Sequence, residues 1–256
     1  MFSGVRSLAQ KKIAVYGARE GSGKTVVARE LAGAFHLRGK KTLLVDMVLG
    51  EGQVTRALGL SPEPNLGQWL QEIDRQIKSG QPYFELHFSP EEITSYIQRH
   101  YTGLDVLATS PVDFPGQAAG MVEVVVTHLR SLPYEVVIFD TRSGIREYIL
   151  RILSMVDVVL LVEDGYHYHI QHVAEVLERL REAGVKTDHF QLVYNRMPSV
   201  VDESPEEAAA DLGLPLAGVL PEHPELRQQR GGIKILSHEV VDHYTHAMDD
   251  LIVRLE

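Results

Sequence analysis

Gly17-Ala18-Arg19-Glu20-Gly21-Ser22-Gly23-Lys24-Thr25, written GAREGSGKT, follows the apolar run IAVYG at 13–17 and precedes a stretch in which Val27, Leu31 and Phe35 recur four residues apart. A buried strand, a glycine-containing loop ending in Gly-Lys-Thr and an amphipathic helix form the context of the relaxed phosphate-loop pattern, with Ala18 in place of its first glycine. Gly21 and Gly23 let successive backbone N–H groups curl around phosphate oxygens. A helix beginning near Lys24 turns its positive end toward the anion. Lys24 would reach the β- and γ-phosphates, and the Thr25 hydroxyl would ligate Mg2+. The competing reading is a glycine-rich turn that ends in Gly-Lys-Thr by chance; the strand before it and the helix after it weigh against that.

Outward from this loop, short β-branched runs alternate with helical patterns. Strands are predicted at 13–17, 42–46, 104–108, 135–140, 157–163, 191–195 and 216–221. Continuous apolar runs of this length read as strands buried on both faces. Their alternation with helices predicts an α/β fold, a mostly parallel twisted sheet with helices on both faces. Helices are predicted from Lys24 to a C-cap at Gly39, over 168–184, and at the end of the chain, where Val240, Tyr244, Met248, Ile252 and Leu255 share one face. Ser89-Pro90-Glu91-Glu92 and Ser204-Pro205-Glu206-Glu207 each read as a capping box with proline at N1. Residues 78–103 are the least patterned and read as an excursion from the core. Residues 1–11 are expected to be flexible, with a single nucleotide-binding domain over 12–256.

The bulk properties narrow the function classes. The formal charge of −10 argues against a broadly basic nucleic-acid surface. The chain has no cysteine, which removes disulfides, thiolate metal sites and cysteine nucleophiles. VVIF at 136–139 and VVLLV at 158–162 are far too short to span a bilayer. A soluble cytoplasmic protein without an intrinsic membrane helix is expected. The final helix reads as one packed on the sheet; an interfacial membrane helix would want lysine and arginine on its polar face, where this one has Asp249, Asp250 and Arg254. The strand EVVIFD ends in Asp140, placed as a carboxylate that holds Mg2+ through water would be.

Five further segments carry a resemblance. TLLVDMVLGEGQVTRALGLSPEPNLGQWL (42–70) resembles the second-strand region of the MinD/ParA family of deviant Walker A P-loop ATPases. YEVVIFDTRSGI (134–145) is similar to that family's Tyr-Asp-x-Val-Ile-x-Asp-Thr-Pro-Pro-Gly segment. LVYNRM (192–197) resembles its adenine-contact strand, and LGLPLAGVLPEHPELR (212–227) its Leu-Gly-x-Pro segment. GLDVLATSP (103–111) is similar to a segment of the TadZ/CpaE branch, whose members are polar-localisation factors in pilus assembly, and of MinD itself. The resemblance implies an ATP- and Mg2+-binding site. Gly21, Ser22, Gly23, Lys24, Thr25 and Val26 would hold the phosphates. Thr25, Asp46 and Asp140 would hold Mg2+, the two aspartates through water. Asn195 would contact the adenine edge with Arg196 beside it, and Pro221 and Glu222 would flank the base. It further implies a homodimer formed face to face around nucleotide, and recruitment to the cell pole or membrane by a protein partner, pilus or other polar machinery. The alternatives are a slow ATPase of the partitioning or flagellar-number type, and a nucleotide-independent dimeric scaffold.

The chain departs from the family pattern where catalysis is concerned. Catalytic parts fall to Lys24, Asp46 and Arg19, the last replacing a lysine that reaches the partner's phosphates. Arginine keeps the charge but not the geometry. Glu20 stands where glycine is usual and is expected to point to solvent or to a partner, away from a bound triphosphate. The second aspartate of the family's Asp-x-Asp is Val48, which cannot position water, so hydrolysis is expected to be weak; loss of such a group costs on the order of 10²–10⁴ in rate. Glu51 is the nearby carboxylate that would substitute. Arg142-Ser143 replaces the usual Pro-Pro.

Two clusters stay open. His167, His169 and His172 read as a polar loop entering a helix, as a pH-sensitive contact, or as metal ligands, with Glu163 and Asp164 just before them. Arg227, Arg230 and Lys234 read as a solvated face or as a small DNA-binding patch.

Overall fold

The computed structural model describes residues 10–109, 118–164, 170–197, 204–227, 232–237 and 243–256. Strand β1 (Lys11–Tyr16) leads into helix α1 (Lys24–Leu37), and β2 (Thr42–Asp46) into the short α2 (Gln53–Leu58) and α3 (Leu66–Lys78). After α4 (Pro90–Thr94) come β3 (Gln98–Arg99) and β4 (Asp105–Leu107), then α5 (Ala118–His128), β5 (Val136–Asp140) and α6 (Glu147–Met155). The second half runs β6 (Val158–Asp164), α7 (Ile170–Glu182), β7 (Phe190–Met197), α8 (Pro205–Leu212), β8 (Leu216–Pro221) and α9 (His243–Leu255).

The strands form one sheet in the order β3-β4-β2-β5-β1-β6-β7-β8, parallel throughout except for the antiparallel pair β3–β4. Strand residues alternate between two cores, because successive side chains leave a strand on opposite faces. Ile13, Val15, Leu44, Ile138 and Leu160 pack with Val27, Leu31 and Phe35 of α1 and with Met248 and Ile252 of α9. Ala14, Tyr16, Val45, Phe139 and Leu161 pack on the other face with Trp69 of α3, Val125 of α5, Ile149 of α6 and Leu177 of α7. Burial on both faces explains why the central strands read as unbroken apolar runs. Tyr244, Met248, Ile252 and Leu255 are all buried, so α9 packs on the sheet as its spacing predicts; Val240 lies outside the described residues.

The seven predicted strands are all present. The excursion at 78–103 adds an eighth: Gln98 and Arg99 pair with Val106 and Asp105 at the sheet edge. Two residues are too few to show an alternating pattern, which is why the sequence does not reveal it. Both predicted capping boxes form, at Ser89 with Glu92 and at Ser204 with Glu207. A third, Asn65 with Gln68, starts α3. Of the segment 1–11 expected to be flexible, the described residues Gln10 and Lys11 are tied to the sheet. Lys11 opens β1, and the Gln10 amide donates to Leu129 and Tyr134 carbonyls. No described helix is long and apolar enough to cross a membrane.

Candidate functional site

Parallel strands point their C-terminal ends to one edge of the sheet, and the crevice there is where open α/β folds bind ligands. The ends of β1, β2, β5, β6 and β7 bring GAREGSGKT, Asp46, Asp140, Glu163-Asp164 and Asn195-Arg196 to that edge.

The loop after β1 has the backbone that phosphate binding needs. Gly21 and Gly23 have φ of 84° and 93°, in the left-handed region that disfavours a side chain. A Cβ on Gly23 would also lie 2.1 Å from Asn195 Nδ2. No side chain caps the N-terminus of α1, so its first-turn N–H groups are available to an anion.

Neighbouring strand ends brace the loop. The Glu163 carboxylate accepts the Ala18 N–H at 3.0 Å, and the Asn195 amide donates to the Ser22 carbonyl at 2.9 Å. Asp164 lies 3.2 Å from an Arg19 nitrogen and 2.6 Å from one of Arg196, which also donates to the Gly21 carbonyl. Arg196 takes a left-handed φ of 54°, uncommon for a side chain of its size, as it turns back to the loop. Pro221 pairs with Met197 at the end of β8, and Glu222 follows it. In this structure Arg19 is therefore held in cis by Asp164.

Lys24 is almost fully buried. Its ammonium donates to the Arg19 carbonyl at 2.9 Å, the Ser143 hydroxyl at 2.6 Å and the Glu20 carboxylate at 3.3 Å. Glu20 also accepts the Ser143 N–H at 3.1 Å and lies 3.8 Å from Arg142. Glu20 thus lies over the loop with its side chain 60% exposed, because a buried ammonium draws the nearest anion.

Asp46 and Asp140 are register partners on adjacent strands and are wholly buried. Asp46 accepts the backbone N–H groups of Val48 at 2.9 Å and Val54 at 3.2 Å, so it shapes the loop after β2. Neither carboxylate oxygen of Asp140 has a hydrogen-bond partner. Burial pushes both pKa values up. At Asp140 the Asp46 charge adds to the rise, while Thr25 and Lys24 partly oppose it. Two buried carboxylates, one of them unpartnered, beside a threonine hydroxyl fit a hard divalent cation that takes oxygen ligands. The Thr25 hydroxyl bonds to Gln53 at 3.4 Å.

Val48 is buried in the loop held by Asp46. Glu51 is engaged, 2.5 Å from Arg142 and 2.6 Å from the Gln53 amide. His172 is exposed on α7, whereas His167 and His169 lie outside the described residues, among which no metal-ligand cluster occurs. Lys234 is buried, which removes it from the surface basic run. Arg230 and the side chain of Arg227 lie outside the described residues.

Residues 13–233 match the CobQ/CobB/MinD/ParA nucleotide binding domain. The chain belongs to this family. A curated relative, an uncharacterised ATP-binding protein of Methanocaldococcus jannaschii, is 23% identical over 227 residues, 84% of this chain and 86% of the relative. Among solved structures, a ParA family ATPase from Chlorobium tepidum superposes with a TM-score of 0.75 at 15% identity, covering 97% of this chain and 100% of that one. The septum site-determining protein MinD of Pyrococcus horikoshii, in complex with Mg-ADP, superposes with a TM-score of 0.70 at 19% identity, covering 96% of each chain. The eight-stranded sheet is thus the MinD/ParA fold.

Glu163 and Asp164, which end β6, are site residues that sequence reasoning does not assign. They precede the histidines in the chain, yet they face the phosphate loop. Adjacency of β6 to β1 was the missing piece. Ser143, which bonds Lys24, has no signal beyond its departure from the family's proline.

Proposed function

We propose that this chain is an ATP- and Mg2+-binding switch that dimerises around nucleotide and positions a partner machine, with weak hydrolysis. Its nearest functional analogue would be the TadZ/CpaE factors of pilus assembly, with the chain recruited from the cytoplasm to the cell pole or membrane. The carrying observation is that Lys24 and the unpartnered Asp140 carboxylate lie at one sheet edge, the Lys24 charge acting on Asp140, while Val48 supplies no carboxylate there.

Gly21, Ser22, Gly23, Lys24, Thr25 and Val26 would hold the phosphates through backbone N–H groups and the Lys24 ammonium. Bound Mg2+ would neutralise phosphate charge, with Thr25 as a direct ligand and Asp46 and Asp140 holding its water shell. Asn195, Arg196, Pro221 and Glu222 would border the base. A water-positioning carboxylate is missing at Val48, and Glu51 is already held by Arg142 and Gln53. That favours a long-lived bound state over turnover.

Calorimetry with ATP·Mg2+ tests this. Binding by the intact protein and its loss in Lys24→Ala support the switch. No binding by the intact protein favours a nucleotide-independent scaffold. Turnover equal to that of cycling partitioning ATPases would favour the slow-ATPase reading instead.

A further inference from the structure

Glu20 is the one acidic side chain of the phosphate loop, and its carboxylate joins two parts of the site. Oε2 lies 3.3 Å from Lys24 Nζ. Oε1 accepts the Ser143 N–H at 3.1 Å, with Arg142 Nε 3.8 Å away. One donor comes from the phosphate loop, the other from the loop that follows Asp140 at the end of β5. An anionic oxygen pair that bridges an ammonium and a backbone N–H satisfies the contacts a terminal phosphate would seek.

Donor arithmetic makes this a competition. An ammonium has three protons to donate. Those of Lys24 have three acceptors: the Arg19 carbonyl, the Ser143 hydroxyl and the Glu20 carboxylate. Only Glu20 among them is negatively charged, and it would repel an incoming phosphate. Its side chain is 60% exposed, so it can swing into solvent without opening the core.

We propose that Glu20 is an internal stand-in for the terminal phosphate and sets the preference of this site between nucleoside di- and triphosphates. This rests on the nucleotide-binding reading above. A diphosphate binds with Glu20 in place. A triphosphate must expel it, and the Ser143 N–H then changes partner. The loop after β5 is thereby tied to the phosphate loop by the protein's own carboxylate until a third phosphate arrives.

The test is calorimetry of the full chain, Glu20→Gln and Glu20→Ala with ADP·Mg2+ and with ATP·Mg2+, together with amide exchange at Ser143 in nucleotide-free protein. Both variants should bind ATP about tenfold tighter, near the lower end for a hydrogen bond to a charged group. ADP affinity should stay within about twofold, and the Ser143 amide should exchange faster in Glu20→Ala, which removes its acceptor. Equal tightening toward both nucleotides would mean a general charge effect and overturn the proposal. Unchanged ATP affinity, or unchanged exchange in Glu20→Ala, overturns it as well. If neither the parent nor the variants bind either nucleotide, the nucleotide reading falls and takes this proposal with it, an outcome distinct from binding without discrimination.

Discussion

Asp46 and Asp140 face each other across two adjacent parallel strands, each carboxyl fully buried, and only Asp46 is hydrogen-bonded. Two like charges in one desolvated place oppose folding unless a cation or proton joins them. Asp140→Asn should therefore have opposite effects with and without metal. In metal-free protein at pH 7 it should raise Tm by about 2–4 °C. The Mg2+-dependent gain in nucleotide affinity should fall by about 10–100-fold, as for other residues that hold a metal through its shell. Scanning calorimetry and titrations with and without Mg2+ read both effects.

Val48→Asp restores a carboxylate to the loop that Asp46 supports. Turnover should rise at least tenfold, the lower part of the range for a general base being about 100-fold. Because Val48 is buried, stability should fall by about 1–3 kcal/mol. Phosphate release under ATP·Mg2+ measures the first and urea unfolding the second. Unchanged turnover would move the defect to Arg19 or Glu20.

Arg19 is paired in cis with Asp164, so any reach across a dimer must break that pair. Arg19→Ala should lower the ATP-dependent dimer fraction while monomer ATP affinity changes little, because the buried Asp164 carboxylate keeps Arg196 as its partner. Sedimentation with and without ATP separates this from a cis role, in which dimerisation would be unaltered.

Glu163 gives a pH signature. Burial raises its pKa, and the Ala18 N–H, Arg19 and Lys24 offset only part of the rise. The folded protein thus keeps a proton that the unfolded chain releases in the usual glutamate range. Stability contributed by this group falls as pH rises from that range through the raised folded value. Glu163→Gln retains an acceptor for Ala18 without the charge. Its Tm should match the parent's near pH 4 and exceed it increasingly toward pH 8. A constant difference across that range would refute the assignment.

Glu30 holds the segment 232–237 against α1. Its fully buried carboxylate accepts the N–H groups of Lys234 at 3.1 Å and Ile235 at 2.8 Å and pairs with Arg29 at 3.0 Å. Glu30→Ala would strand all three donors and should cost about 3–5 kcal/mol in urea unfolding. Glu30→Gln keeps one acceptor oxygen and should lose less.

The central strands were legible because burial on both faces writes an unbroken apolar run, and the phosphate loop was legible because its glycines and Gly-Lys-Thr are contiguous. Val48 and Asp140 could be singled out from position in a motif. The partner of Glu20 has no local signal: nothing in GAREGSGKT says that Ser143, far along the chain, presents an N–H to it. Asp164 was grouped with the histidines beside it in sequence, although its partners are Arg19 and Arg196. Lys234 read as surface charge and is buried.

The sequence alone thus determined the α/β fold and the glycine-containing loop ending in Gly-Lys-Thr, because each is set by local periodicity or by residues contiguous in the chain. Only the tertiary structure decided which charges meet: Asp46 with Asp140, Asp164 with Arg19 and Arg196, Glu20 with Lys24 and Ser143. The order of strands in the sheet brings those ends together, and strand order depends on packing between segments far apart in the chain, which leaves no local mark on the residues it unites.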